Sequence, residues 1–184
     1  MKIQYVAYLM LFIAGIWGGS LLVSNLSNSS QSAVSLKPAP VMAADFSLPD
    51  LEGKTRQFNE WKGKIRVLNF WATWCPPCRK ETPMFVELQE KLSTQGVQFI
   101  GVAIDEKQKT QDFIDTFGVT YPIMYGADDA IEVAKTYGDR LGMLPWTVVI
   151  DKQGSIVYTQ AGEFTRQHIE SVLQPLLTTQ TSSH

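Results

Sequence analysis

The chain has 184 residues, 16 basic and 18 acidic side chains and a net charge of −2, with only two cysteines and two histidines. That length suits one domain of ordinary size, and without a basic excess the chain is not expected to bind nucleic acid by counterion release. Two cysteines cannot build a disulfide framework, so the fold must rest on a hydrophobic core.

The charge is uneven. Residues 1–44 contain Lys2 and Lys37 and no acid. Tyr5 to Val23 is an uncharged run of 19 residues. At 1.5 Å per residue it would span roughly 28 Å, about one hydrocarbon core. It exceeds the 7–15 residues usual for the apolar region of a cleaved signal, and Val41-Met42-Ala43-Ala44 is a poor cleavage site. An uncleaved anchor within residues 1–24 is therefore expected. Lys2 and the amino terminus precede it, so the body is expected on the outer, periplasmic or extracytoplasmic, side of the cytoplasmic membrane. Residues 25–44 are rich in Ser, Asn, Ala and Pro and lack periodicity. They read as a flexible linker with a reach of roughly 25 Å. One folded domain is expected over 45–184.

Phe46–Leu48 and Arg56–Phe58 read as short strands about a Glu52-Gly53 turn. Ile65–Trp71 is an apolar, β-branched and aromatic run, a buried strand. A helix follows Cys78, with Met84, Phe85, Leu88 and Leu92 on one face, Glu87 and Lys91 at ion-pair spacing, and Gly96 as its stop. Val97–Ile104 is a second buried strand. Helices are predicted over Thr110–Phe117, with Phe113, Ile114 and Phe117 inward, and over Asp129–Tyr137, capped by Asp128. Trp146–Ile150 and Ser155–Gln160 form a hairpin about Asp151–Gly154. The last helix starts at Thr165 and buries Ile169, Val172, Leu173 and Leu176, with Pro175 ending or kinking it. The order implies an α/β domain with a central mixed sheet flanked by helices.

Cys75 and Cys78 stand where a buried strand passes into a helix. A loop that short gives little entropic stabilisation, so the pair asks for a chemical explanation. Pro76 and Pro77 suit the first helical turn, where their missing N–H groups cost nothing. The helix N-terminus favours a thiolate on Cys75, which is expected to be the exposed nucleophile. Cys78, shielded beneath it, would resolve the mixed disulfide. Zinc needs four ligands, and beyond the pair only His168 and His184 offer soft donors. No metal and no cofactor are expected.

The run Phe70-Trp71-Ala72-Thr73-Trp74-Cys75-Pro76-Pro77-Cys78 resembles the active-site motif of the thioredoxin superfamily. With Asn69 and Glu81 beside it, and the tethered N-terminus, the chain is similar to the membrane-anchored TlpA/ResA-like thiol–disulfide oxidoreductases over Asp45 to about Leu177. The resemblance implies a thioredoxin fold with an N-terminal strand pair and an inserted strand–helix element, in which Thr110–Val119 would fall. It implies a cis-proline at Pro145, with Trp74, Pro76, Leu144, Pro145 and Trp146 around the substrate chain. Trp146 stands where threonine is common; it either narrows the docking groove or packs beneath the sheet. Pro83, inside the helix, has a structural role in thioredoxins. Glu81 lies one turn beyond Cys78. Thioredoxin uses a buried aspartate at the place of Asn69, so here Glu81 is the candidate for proton handling, beyond its favourable charge near a helix N-terminus.

The function expected is reduction of disulfides in exported proteins by dithiol–disulfide exchange at Cys75 and Cys78. A membrane thiol-electron transporter would supply the electrons. Two other readings stand beside it. A redox-sensing or partner-binding module would use the same groove without turnover. A peroxiredoxin-type peroxidase would need a threonine where Ala72 stands, so its motif fails. The stretch Gly138–Leu144 departs from the pattern of the cytochrome-maturation branch, so that substrate is not assigned.

Overall fold

The computed structural model describes residues 39–178. The expected anchor at 5–23, linker residues 25–38 and His184 lie outside them.

Strands β1 (Ser47–Pro49) and β2 (Thr55–Gln57) pair antiparallel as a separate two-stranded sheet, followed by a 3-10 turn over Phe58–Trp61. The body then runs β3 (Ile65–Trp71), α1 (Pro76–Leu92), β4 (Val97–Ala103), α2 (Lys107–Phe117), β5 (Ile123–Tyr125), α3 (Asp128–Thr136), β6 (Trp146–Ile150), β7 (Ile156–Ala161) and α4 (Arg166–Thr178). The main sheet has the order β5-β4-β3-β6-β7. Strands β3, β4 and β5 are parallel, while β6 and β7 run antiparallel to their neighbours.

β3 and β4 lie inside the sheet, and every residue of both is buried, the polar Arg66, Asn69 and Gln98 included, as expected of mostly apolar strands covered on both faces. Alternation along the strands sorts the core into two layers. Val67 and Trp71 of β3, Phe99 of β4 and Val149 of β6 face Phe85 and Leu88 of α1, Phe113 of α2, and Ile169 and Leu173 of α4. Leu68, Phe70, Ile100, Val148 and Ile150 face Ala130 and Ala134 of α3 and the rings of Phe58 and Tyr137. The cysteine pair belongs to the first layer.

β5 is the strand of the insert that the resemblance implies, although no residue pattern marks its place. It is three residues long between Pro122 and Gly126, too short to show a period. With α2 it forms the insert between β4 and α3, the helix preceding the strand. Helix α3 starts on Asp128 rather than after it; Ala127 takes the N-cap without a side-chain bond, and Asp128 and Asp129 lie in the positive first turn. The Glu87–Lys91 pair does not form. Glu87 pairs with Arg166 and Lys91 with Glu170 at 3.9 Å, so both reach across to α4. α1 ends at Leu92, and a 3-10 turn leads to Gly96, whose φ of +81° reverses the chain. Pro175 does not end α4, which continues to Thr178. The proline costs one helical bond to the carbonyl of Ser171, an exposed residue that water can serve.

Residues before β1 are fastened to the hairpin of β6 and β7. Ala43 N donates to Gly154 O at 2.8 Å, Ile156 N donates to Val41 O at 2.8 Å, and the Tyr137 hydroxyl donates to Ala44 O.

Candidate active site

β3 ends at Trp71, and four residues later the chain enters α1 with Cys75 as the N-cap. The Cys78 N–H donates to Cys75 Sγ at 3.3 Å, so this sulfur takes one of the donors that a helix start leaves without a partner. A thiolate at the same place would accept that bond with the helix dipole behind it. The two cysteines form a disulfide with Cα atoms 5.3 Å apart. Both are buried, Cys75 at 3% exposure and Cys78 at 1%, so the contrast expected from sequence is small in this disulfide form. The sulfur of Cys75 turns inward to reach Cys78, while Trp74 beside it is 68% exposed and Pro76 is exposed.

Beneath the pair lies a closed polar group. Glu81, one turn along α1 from Cys78, is 2% exposed. Its Oε1 accepts from Asn69 Nδ2 at 2.9 Å and its Oε2 accepts from the Phe164 N–H at 2.9 Å. The second Asn69 amide hydrogen goes to Thr147 Oγ1 at 2.9 Å. Asn69 and Thr147 are register partners across β3 and β6, so the network joins α1, both strands and the segment before α4. Burial pushes the Glu81 carboxyl up to about 7, against the two hydrogen bonds, which favour its charged form. A carboxyl that changes charge near neutral pH can give or take a proton there.

The turn before Cys75 is locked from the other side. Asp105 Oδ2, just past β4, accepts from the Thr73 hydroxyl at 2.5 Å and from its N–H at 3.2 Å. Arg79 donates to Thr73 O at 3.3 Å and lies over the rings of Phe113 and Phe117 of α2 at 5.5 and 5.1 Å. The insert thus braces the cysteine turn. Sequence reasoning missed Asp105; the available signal was an acid placed immediately after a buried parallel strand, at the strand ends where the cysteines also lie.

The Leu144–Pro145 bond is cis. Phe70 pairs with Trp146, which sets Pro145 opposite Trp71, at the end of the sheet that carries the cysteine turn. Pro145 is buried and Leu144 half-buried. Trp146 is half-buried on the α3 face, away from the cysteine pair. Its indole N–H donates to Tyr137 O at 3.1 Å, so the ring packs beneath the sheet. Pro83 sits inside α1 without ending it. Among the described residues no group of three or more histidine, cysteine or acidic side chains could hold a metal ion.

A disulfide at the start of a helix, following a buried central strand in a mixed five-stranded sheet, with a cis-proline at the same end of that sheet, defines a thioredoxin-fold exchange protein. The sequence profile of the AhpC/TSA family matches residues 40–159. Thiol-disulfide oxidoreductase ResA of Geobacillus thermodenitrificans is 39% identical over 135 residues, 71% of this chain and 75% of that protein. The ResA of Bacillus thuringiensis is 32% identical over 176 residues, 95% of this chain and 96% of that one. Among solved structures, a thiol:disulfide interchange protein of the thioredoxin family from Chlorobium tepidum superposes with a TM-score of 0.68 at 30% identity, over 75% of this chain and 97% of that one. The chain belongs to the ResA family of thiol-disulfide oxidoreductases, with an AhpC/TSA domain of the thioredoxin superfamily. It is an oxidoreductase that exchanges electrons with thiol and disulfide partners. Among the described residues no helix is long and apolar enough to cross a membrane.

Proposed function

We propose that this protein reduces disulfides of exported proteins, with Cys75 as nucleophile and Cys78 as resolving thiol. The single observation that carries the reading is the Cys75–Cys78 disulfide at the start of α1, with the Cys78 N–H aimed at Cys75 Sγ. In the dithiol form the Cys75 thiolate attacks one sulfur of a substrate disulfide. A Cys75–substrate disulfide forms and the substrate's other sulfur leaves as a thiolate. The Cys78 thiolate then attacks Cys75 Sγ, and the second substrate thiolate leaves. Two electrons pass to the substrate, and the enzyme is left with its own disulfide. Glu81 in its charged form, which a carboxyl pushed up to about 7 populates at neutral pH, takes the proton that Cys78 must lose. Trp74, Pro76, Leu144 and Pro145 surround the substrate chain, and Trp146 contributes by fixing the strand behind Pro145.

The uncharged run 5–23, with Lys2 before it, supports an anchor over 1–24, a linker over 25–44 whose last residues, 41–44, are fastened to the domain, and a catalytic domain over 45–184 on the outer face of the cytoplasmic membrane. The match to a ResA over 95% of the chain agrees with that layout. A membrane thiol-electron transporter would return the dithiol.

The test is insulin reduction with a thiol donor. Cys75→Ser abolishes turnover, and Cys78→Ser accumulates mixed disulfides through Cys75. Turnover surviving Cys75→Ser would overturn the nucleophile assignment. Peroxide consumption without disulfide reduction would point to a peroxidase instead. Against that chemistry, Ala72 stands where the peroxidase motif needs its threonine.

A further inference from the structure

The loop from Gly138 to Leu144 joins α3 to β6 and leads straight into Pro145, so it stands at the same end of the sheet as the cysteine turn. Its middle projects apolar side chains into solvent: Leu141 is 81% exposed and Met143 44%. Together with Trp74 these are three of the six large hydrophobic residues exposed among the described residues; the other three, Val41, Met42 and Val157, lie at the β6–β7 hairpin and the segment fastened to it. Exposed apolar groups gathered beside a reactive site mark a surface that meets a partner.

What holds the loop in that shape is buried beneath it. Asp139 is 2% exposed. Its Oδ1 accepts the Met143 N–H at 2.9 Å, while its Oδ2 is buried without a hydrogen-bond partner among the described residues. A carboxylate satisfied on one side only is costly inside a protein. The two ends of the loop are fixed without it, by Asp139 N donating to Ala134 O at 3.0 Å and by Trp146 Nε1 donating to Tyr137 O at 3.1 Å. The span in between passes through Gly142 at φ +67°, and the Met143–Asp139 bond is the contact that closes it.

We propose that Asp139 is a positioning residue for the choice of protein substrates. Its side chain sets the Gly138–Leu144 loop so that Leu141 and Met143, with Trp74, form an apolar ledge beside the disulfide. This rests on the exchange reading at Cys75. The occupant is an extended, apolar stretch of polypeptide flanking a disulfide in an incompletely folded protein. Two features support that occupant: the ledge runs on into Leu144 and Pro145, and the one exposed charge on the loop, Arg140, selects against basic flanks.

The test compares full-length wild type, Asp139→Ala, Asp139→Asn and the surface double variant Leu141→Ser/Met143→Ser. Each is measured on insulin and on bis(2-hydroxyethyl) disulfide, which has no flanking chain. The quantity read is the ratio of the two kcat/KM values. Asp139→Ala and the double variant lower that ratio about tenfold, through KM for insulin, because apolar burial against the substrate is lost. Asp139→Asn keeps the ratio within about twofold, since an amide oxygen still accepts the Met143 N–H. An Asp139→Ala protein that loses both reactions equally, or a double variant with an unchanged ratio, overturns the proposal and leaves the exchange reading intact. A wild type inactive on both disulfides overturns both.

Discussion

Asn69 on β3 donates its side-chain amide to Glu81 Oε1 across 2.9 Å of fully buried space, and the same amide group reaches Thr147 on the next strand. A neutral residue therefore stands against the buried acid, on the face of the sheet that carries Cys75 and Cys78. A second carboxylate at this place would repel Glu81; the amide instead orients it and favours its charged form.

Glu81 links stability and activity to pH. Its carboxyl is pushed up to about 7 in the folded protein, from an ordinary value of 4.5. Between those values the folded state holds a proton that the unfolded state has released, so stability falls as pH rises through the window. At roughly 1.4 kcal/mol per unit, the charged form costs on the order of 3 kcal/mol above pH 7, and nothing below 4.5. Glu81→Gln removes this slope, which denaturant titrations at pH 4.5, 6 and 8 would reveal. The same variant loses the inflection near pH 7 in the rate of disulfide exchange. A rate profile unchanged by Glu81→Gln would remove Glu81 from proton transfer.

Asp105 serves the cysteine turn from outside α1. Asp105→Ala leaves the Thr73 hydroxyl and N–H without the acceptor they share, at a cost of about 1–3 kcal/mol. The Lys109 contact at 4.0 Å adds little, since that side chain is 58% exposed. Thermal unfolding should show the loss, and proteolysis should cut faster around Thr73 than at the hairpin of β6 and β7.

Gly101 on β4 is a packing requirement. A Cβ there would come within 2.5 Å of Ile123 Cδ1 and 2.9 Å of Trp71 Nε1. Gly101→Ala must push β5 outward or displace Trp71, which lies on Phe113 at 4.4 Å between ring centres. Overpacking of this kind costs about 1–3 kcal/mol. The midpoint of chemical denaturation checks it, and a midpoint unchanged from wild type would mean that β5 yields freely.

Where local pattern governs, the sequence suffices. β3 and β6 fall on their predicted residues because apolar runs bounded by turns admit one reading. The cysteine turn was equally plain: four residues, two prolines and a following amphipathic helix place the sulfurs without help from the rest of the chain. Glu81 was legible as a candidate by its spacing from Cys78. Its partners were less so: Phe164 lies 83 positions away and Thr147 lies 78 from Asn69. Trp146 could face either side until the register of β6 against β3 fixed the strand's alternation.

The sequence by itself determined the chemistry: two cysteines, spaced to meet across one helical turn after a buried strand. Tertiary structure alone decided how that chemistry is held. It buried Glu81 and so moved its titration toward neutrality, turned Glu87 and Lys91 away from each other toward α4, and set Asp105 and Asp139 on either side of the reactive turn. The physical reason is range. Helix and strand periods act over a few residues, whereas desolvation and hydrogen bonding between distant segments exist only once the sheet has brought them together.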